Sequence, residues 1–293
     1  MDLDLERIDA LPADADAVSE KTPGRAGRNL PAAIGVGVAL GLLVTVPLFS
    51  PARWGFVAVL VVAAGIGTVE VVRALRTLGA RPPLVPLLAG GAAMLVLAYR
   101  EGAEALLLGL VLTVLACVVW RTVDPPGGYL RDVAASALTA AYVPFLAGFA
   151  ALLAVPADGP RRVTAFIATV VCSDVGGYAA GVLFGRRPMA PSVSPKKSWE
   201  GLCGSVLACG TGGAVLFATL LHASALLGAV YGLAVVATAT LGDLGESMLK
   251  RDIGIKDMGD LLPGHGGLMD RLDSLLPTAP VAWLLLSAFV ALP

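Results

Sequence analysis

The chain is predicted to be an all-α integral membrane protein of about nine transmembrane helices, with the C-terminal spans forming a polar cavity that faces the cytoplasm. Three observations predict this. Of 293 residues, 57% are hydrophobic and 15% charged, with mean hydropathy +0.81, whereas a soluble domain carries about 25% charged residues. The apolar residues fall into long runs cut by short polar breaks. The basic residues alternate between rich and poor loops along the chain. The 35 Gly and 20 Pro are scattered rather than periodic, which excludes collagen-like and low-complexity chains. The net charge of −1 makes no case for a nucleic-acid partner, and none is expected.

Residues 1–28 are polar, without helical periodicity, and read as a flexible cytosolic tail. The tail opens acidic, and its apolar stretch starts too late for a signal peptide. Apolar runs follow near 30–49, 54–72, 83–99, 103–120, 132–154, 163–184, 200–221, 224–242 and 275–292. A span needs about 20 residues, and in lipid it must be helical because an open strand would leave backbone groups unpaired. With nine spans, the tail and the even-numbered loops share a side that holds 17 of the 21 basic residues, against 4 opposite. By the positive-inside tendency, the N-terminus and the late charged loops face the cytoplasm of a multi-pass plasma-membrane protein. Three segments are expected: the tail at 1–28, an N-terminal helix bundle at 29–160 that would mediate dimerisation, and a catalytic membrane domain at 161–293. Cys117, Cys172, Cys203 and Cys209 form no CxxC pair and sit in apolar runs, so they read as buried small hydrophobes. Trp54 and Trp199 read as interfacial anchors.

Seven of the 22 acids fall in residues 243–273, together with bases and a Pro263-Gly264-His265-Gly266-Gly267 turn. Asp is a hard oxygen ligand suited to Mg²⁺. Lys and Arg neutralise phosphate oxygens. Glycine lets backbone N–H groups approach a phosphate. Interleaved over 31 residues, these types point to a metal–polyphosphate site. The competing reading is an interfacial loop whose charges pair with one another and with headgroups; the glycines count against it, because an interfacial helix would avoid them. Asp270 and Asp273 stand i,i+3 and share a face. Lys196 and Lys197 precede a helix that Ser198 would cap and Glu200 would open, which makes an anion site, and Ser194-Pro195 should break structure. Asp174 lies inside a span, where a carboxylate marks a polar cavity or a partner. Glu70 reads as a snorkelling or ion-paired group beside Arg73. His265 has two open readings: a phosphate or proton contact, or a ring that holds the glycine turn by bonding a carbonyl. His222, at a span end, reads as structural.

The run Ser247-x-x-Lys250-Arg251, Lys256-Asp257, Pro263-Gly264-His265-Gly266-Gly267, Asp270-Arg271-x-Asp273 closely resembles the signature of the phosphatidate cytidylyltransferases (CDP-diacylglycerol synthases). Upstream, Ser194-Pro195-Lys196-Lys197-Ser198-Trp199-Glu200-Gly201 resembles that family's Ser-Pro-Lys-Lys-Thr-Trp-Glu-Gly loop, with the hydroxyl kept at 198. Asp174 in Cys-Ser-Asp-Val-Gly-Gly-Tyr is similar to the family's intramembrane Asp. The resemblance covers roughly residues 170–275. It implies the transfer of CMP from CTP to phosphatidic acid, with release of pyrophosphate. It further implies Mg²⁺ on Asp243 and Asp270, a second cation such as K⁺ nearby, and a homodimer in membrane lipid. In that expectation Asp243, Asp270, Lys250, Arg251, His265 and Arg271 are catalytic. Ser194, Lys196, Lys197, Ser198, Glu200, Asp174, Ser247, Lys256, Asp257, Gly264, Gly266, Gly267 and Asp273 contact substrate. Two rivals remain at this point: a CTP-dependent kinase of a polyprenol or other lipid alcohol, which would need a base, and a polytopic transporter, which would usually show an internal repeat.

Overall fold

The computed structural model describes residues 30–261 and 266–290, with side chains from residue 37 onward. The expected tail at 1–28 lies outside the described residues. Among these described residues nine helices follow in order: α1 (Leu30–Leu48), α2 (Trp54–Thr77), α3 (Leu84–Glu101), α4 (Ala103–Arg121), α5 (Tyr129–Leu153), α6 (Gly159–Phe184), α7 (Trp199–Thr219), α8 (Ala225–Ile253) and α9 (Met269–Phe289). A short hairpin of β1 (Pro188–Ala190) and β2 (Ser194–Ser198) joins α6 to α7. The chain divides into a unit ending at Val38, of which the start of α1 is described, and a unit Ala39–Pro293 that holds every other element. Among the described residues, α2 to α9 are each long and apolar enough to cross a membrane. The protein is an all-α, multi-pass membrane protein.

Local chemistry sets the element ends. Pro160 opens α6, where its missing N–H costs nothing. The Ser198 hydroxyl caps α7 by accepting the Gly201 N–H at 3.1 Å. Gly254 ends α8 with a left-handed φ of 81°, a conformation that suits glycine. Within α5, residues Ala141–Phe145 form a π turn around Pro144, which cannot donate to the helical ladder. Arg162 is buried under the end of α9 and donates to the carbonyls of Leu286 (2.9 Å) and Val290 (3.2 Å), satisfying groups that a helix C-terminus leaves open.

Two large apolar clusters and a small one around Leu87 and Cys117 form the core among the described residues. One gathers Val71, Met94, Leu95, Val143 and Met269 from α2, α3, α5 and α9. The other gathers Leu48, Phe166, Phe217, Tyr231 and Leu286 from α1, α6, α7, α8 and α9. A buried ion pair, Arg121 to Asp132 (2.7 Å), links α4 to α5, and Asp132 also accepts the Arg81 N–H at 2.7 Å.

Close packing of α6, α7 and α8 forms the frame of the site. A Cβ at Gly204 of α7 would come within 2.5 Å of the Gly176 carbonyl of α6, and one at Gly177 within 2.5 Å of the Ser205 hydroxyl. On the other side of α7, a Cβ at Gly232 of α8 would run into the Cys209 carbonyl. Small residues let membrane helices approach this closely.

Three expectations change. Helix α8 does not end near 242; it runs on to Ile253, because the charges from Asp243 onward sit on a helix beside a polar cavity. The final helix starts at Met269, so that Asp270, Arg271 and Asp273 open it as the sequence predicts. Ser194-Pro195 belongs to a strand rather than a break, since the residue before proline favours extended backbone and a two-stranded ribbon has only edges. Cys203 is exposed and Cys172 half-buried, while Cys117 and Cys209 are buried. Outward positions on a membrane helix accept a small apolar side chain as readily as core positions do.

Gly204→Val should push α7 from α6 and lower the thermal unfolding midpoint in detergent, with a cost of about 1–3 kcal/mol for overpacking. An unchanged midpoint would mean that this contact does not hold the frame.

Candidate active site

A cavity of about 510 Å³ opens between α6, α7, α8, the start of α9 and the β1–β2 hairpin. From α6 it receives Asp174 and Tyr178; from β2, Lys196, Lys197 and Ser198; from α8, Thr240 and Asp243; from α9, Asp270, Arg271 and Asp273. Four carboxylates and three cations separated by almost 100 residues of sequence thus face one space.

Each acid is held differently. Asp243 pairs with Lys197 across the cavity, and its Oδ1 accepts the Ser247 hydroxyl at 3.4 Å. Asp270 Oδ1 is 2.7 Å from Lys250 Nζ, while its Oδ2 accepts the N–H groups of Gly267 (2.8 Å) and Met258 (3.0 Å). Asp273 accepts the Ser274 N–H at 2.7 Å and lies in electrostatic reach of Asp243 and Asp174. Asp174 in turn faces Asp243, Lys197 and Arg271. Lys250 is half-hidden behind the cavity wall, bridging Asp270 and Glu246 (3.2 Å).

Other predicted residues sit around this centre without lining it. Ser194 pairs with Ala190 in the hairpin. Glu200 accepts the backbone N–H groups of Arg186 (3.1 Å) and Arg187 (3.2 Å) and so closes the hairpin onto α7. Arg251 donates to the Val193 carbonyl at 3.5 Å. Lys256 and Asp257 are exposed on the loop after α8. Gly266 turns with φ 79°, and a Cβ there would press on Asp270 Oδ2 at 3.0 Å. Gly264 and His265 lie outside the described residues.

Two residues escape the sequence reading. Glu246 is fully buried, and apart from Lys250 neither of its oxygens has a partner among the described residues. Its signal was the i,i+4 spacing to Lys250. Glu70 does not pair with Arg73, which is exposed. Instead it is buried on α2 and accepts the N–H groups of Leu268 (3.0 Å) and Met269 (2.7 Å). Its signal was that of a carboxylate in an apolar run.

The donor chemistry suits a hard divalent cation. Asp174, Asp243, Asp270 and Asp273 bring an excess of carboxylate oxygen to one cavity, and Glu246 adds buried oxygens beside it. No three acid, His or Cys side chains among the described residues converge into a complete cage. That fits Mg²⁺, which usually takes one or two carboxylates and fills its remaining positions with water and substrate phosphate.

Comparison with known proteins gives the family. The profile of the cytidylyltransferase family matches residues 31–289. The phosphatidate cytidylyltransferase of Mycobacterium leprae is 48% identical over 290 residues, covering 92% of this chain and 91% of that protein. The protein of the same name from Mycobacterium tuberculosis H37Rv is 48% identical over 278 residues, 90% of this chain and 84% of its own. That of Pseudomonas aeruginosa is 47% identical over 111 residues, 37% of this chain and 41% of its own. With its frame of packed helices, its acid–base cavity and a match along nearly its whole length, this chain belongs to the cytidylyltransferase family.

Proposed function

We propose that this chain transfers CMP from CTP to phosphatidic acid, giving CDP-diacylglycerol and pyrophosphate for phospholipid synthesis. The observation that carries the proposal is one cavity holding Asp174, Asp243, Asp270 and Asp273 opposite Lys196, Lys197 and Arg271. The names of the full-length relatives support the same substrates.

The chemistry asks little covalent work of the protein. An oxygen of the phosphatidate monoester forms a bond to the α-phosphorus of CTP. The bond from that phosphorus to the bridging oxygen breaks, and pyrophosphate leaves with the electron pair. No strong base is needed, since a phosphomonoester with a second pKa of about 6 is largely ionised at neutral pH. What remains is positioning and charge neutralisation. Lys196 and Lys197, at the N-terminus of α7, would bind triphosphate oxygens together with the helix N–H groups. Arg271 would receive the departing pyrophosphate. Lys250 orients Asp270. Asp243 and Asp270 would hold Mg²⁺, which when bound neutralises triphosphate charge. The Lys197–Asp243 pair keeps both groups satisfied until ligands replace each partner. A second cation such as K⁺ would sit among the same acids.

We further propose that the enzyme lies in the plasma membrane as a homodimer, with its N-terminus and the cavity mouth on the cytoplasmic side. CTP then enters from water, and the lipid from the side.

Purified protein in detergent, given CTP, phosphatidic acid and Mg²⁺, should form CDP-diacylglycerol and pyrophosphate in equal amounts. The product should disappear with a chelator and return with added Mg²⁺. A phosphorylated isoprenoid alcohol formed in its place would transfer the assignment to a lipid kinase. Asp270→Asn should abolish product while the protein still folds, and a near-normal rate would remove Asp270 from the centre. Lys197→Ala should lower kcat/KM for CTP by roughly 10- to 100-fold, the equivalent of a charge-assisted hydrogen bond of about 1.5–3 kcal/mol. Steady-state kinetics at varied CTP check this, and an unchanged ratio would place the triphosphate elsewhere.

A further inference from the structure

The residues that line the cavity leave one buried carboxylate unexplained. Glu70 belongs to α2, far from the C-terminal signature in sequence, and is 5% exposed. It reaches the turn that leads into α9. Three successive N–H groups there, at Gly267, Leu268 and Met269, have no helical carbonyl to bind, as at any helix start. Gly267 donates to Asp270 Oδ2; Leu268 donates to Glu70 Oε1 and Met269 to Glu70 Oε2. Two carboxylates divide the three donors between them.

The glycines record the same fit. A Cβ on Gly267 would lie 2.7 Å from Glu70 Oε2, and a Cβ on Gly259 would collide with Oε1. Both segments close around Glu70 because neither carries a side chain at that point. Each also delivers a donor to Asp270: Gly267 directly, and Met258 from the residue beside Gly259. A carboxylate on α2 therefore sets the spacing of the two backbone segments that hold Asp270 Oδ2.

We infer that Glu70 is a positioning residue for Asp270, fixing the loop after α8 and the turn before α9 so that the Asp270 carboxylate meets the cavity in one orientation. This rests on the reaction proposed above. Residues that orient a metal-binding carboxylate typically matter by 10- to 100-fold in activity or metal affinity. Glutamine at 70 keeps the shape but turns an NH₂ toward a backbone N–H. Aspartate is one methylene too short to span both donors.

The test uses the full-length protein in detergent, comparing wild type with E70Q, E70D and G259A. The measurements are CDP-diacylglycerol formation at varied CTP, phosphatidic acid and Mg²⁺, and the thermal unfolding midpoint. For E70Q and E70D, kcat should fall by roughly 10- to 100-fold and the Mg²⁺ concentration for half-maximal rate should rise, with KM for phosphatidic acid and the midpoint close to wild type. G259A, which pushes on the same carboxylate from the loop side, should move the same two quantities and carries the test if the Glu70 variants do not fold. An E70Q rate within about twofold of wild type overturns the inference. So does a loss of rate matched by a fall in the folded fraction, with unchanged Mg²⁺ dependence. A well-folded wild type that makes no CDP-diacylglycerol overturns the reaction itself, and the inference with it.

Discussion

A carboxylate inside an apolar helix bundle is costly unless donors reach it, and Asp270 receives donors from three stretches of chain. Lys250 comes from α8, the Met258 N–H from the loop beyond it, and the Gly267 N–H from the turn before α9. Those contacts fix where the loop can run, and so where Arg271 and Asp273 emerge one and three residues later. Lys250 is itself anchored by Glu246, so the position of Asp270 passes into the interior of α8. Asp270 and Asp243 are held by unlike means: Asp270 by backbone donors and a largely buried lysine, Asp243 by a lysine on a hairpin and a weak hydroxyl contact. Asp270 is the more rigidly placed of the two, and Asp243 the freer to exchange its partner for a ligand.

The glycines in α6, α7 and α8 serve this arrangement from the other side. Backbone contacts at Gly176–Gly204 and Gly213–Gly228 bring three helices near enough for side chains only a few atoms long to meet in one space. Asp174 and Asp243 are short, and wider helix spacing would leave them facing separate volumes.

Much of this was legible in the sequence, and the failures have physical causes. Each apolar run corresponds to a helix because lipid admits little else. The metal–phosphate reading rested on residue types within one segment, and Asp243, Asp270, Arg271 and Asp273 do come to one cavity. Hydropathy misplaced the end of α8 because it equates charge with water, whereas Asp243 faces a polar cavity and Glu246 pairs with Lys250 on a helix that continues. The hairpin was invisible because two strands of three and five residues carry no periodic signal. Glu200, read as a substrate contact from its motif, also has a structural task that the motif does not announce, since its Oε2 accepts two backbone donors. Glu70 was noticed but given the wrong partner: its donors lie 198 and 199 residues away, and no local pattern encodes a contact of that separation.

The substrates assigned to this cavity differ in kind, one dissolved in water and one in the bilayer, and α6 suits both. Its inner face puts Ser173, Asp174 and Gly177 against the cavity. Next to them, Val171, Val175, Tyr178 and Val182 form a ridge at helical spacing, exposed by 50, 62, 74 and 65%. Tyr178 belongs to both surfaces, lining the cavity while largely exposed. A diacyl lipid resting its chains on that valine ridge would bring its phosphate past the tyrosine to Asp174, Lys197 and Arg271 without drawing its acyl chains from the apolar phase. A cavity bordered by so exposed a helix would suit a substrate that keeps its chains in the apolar phase. An enclosed site would have to strip about 0.8 kcal/mol of apolar burial from every methylene it failed to cover.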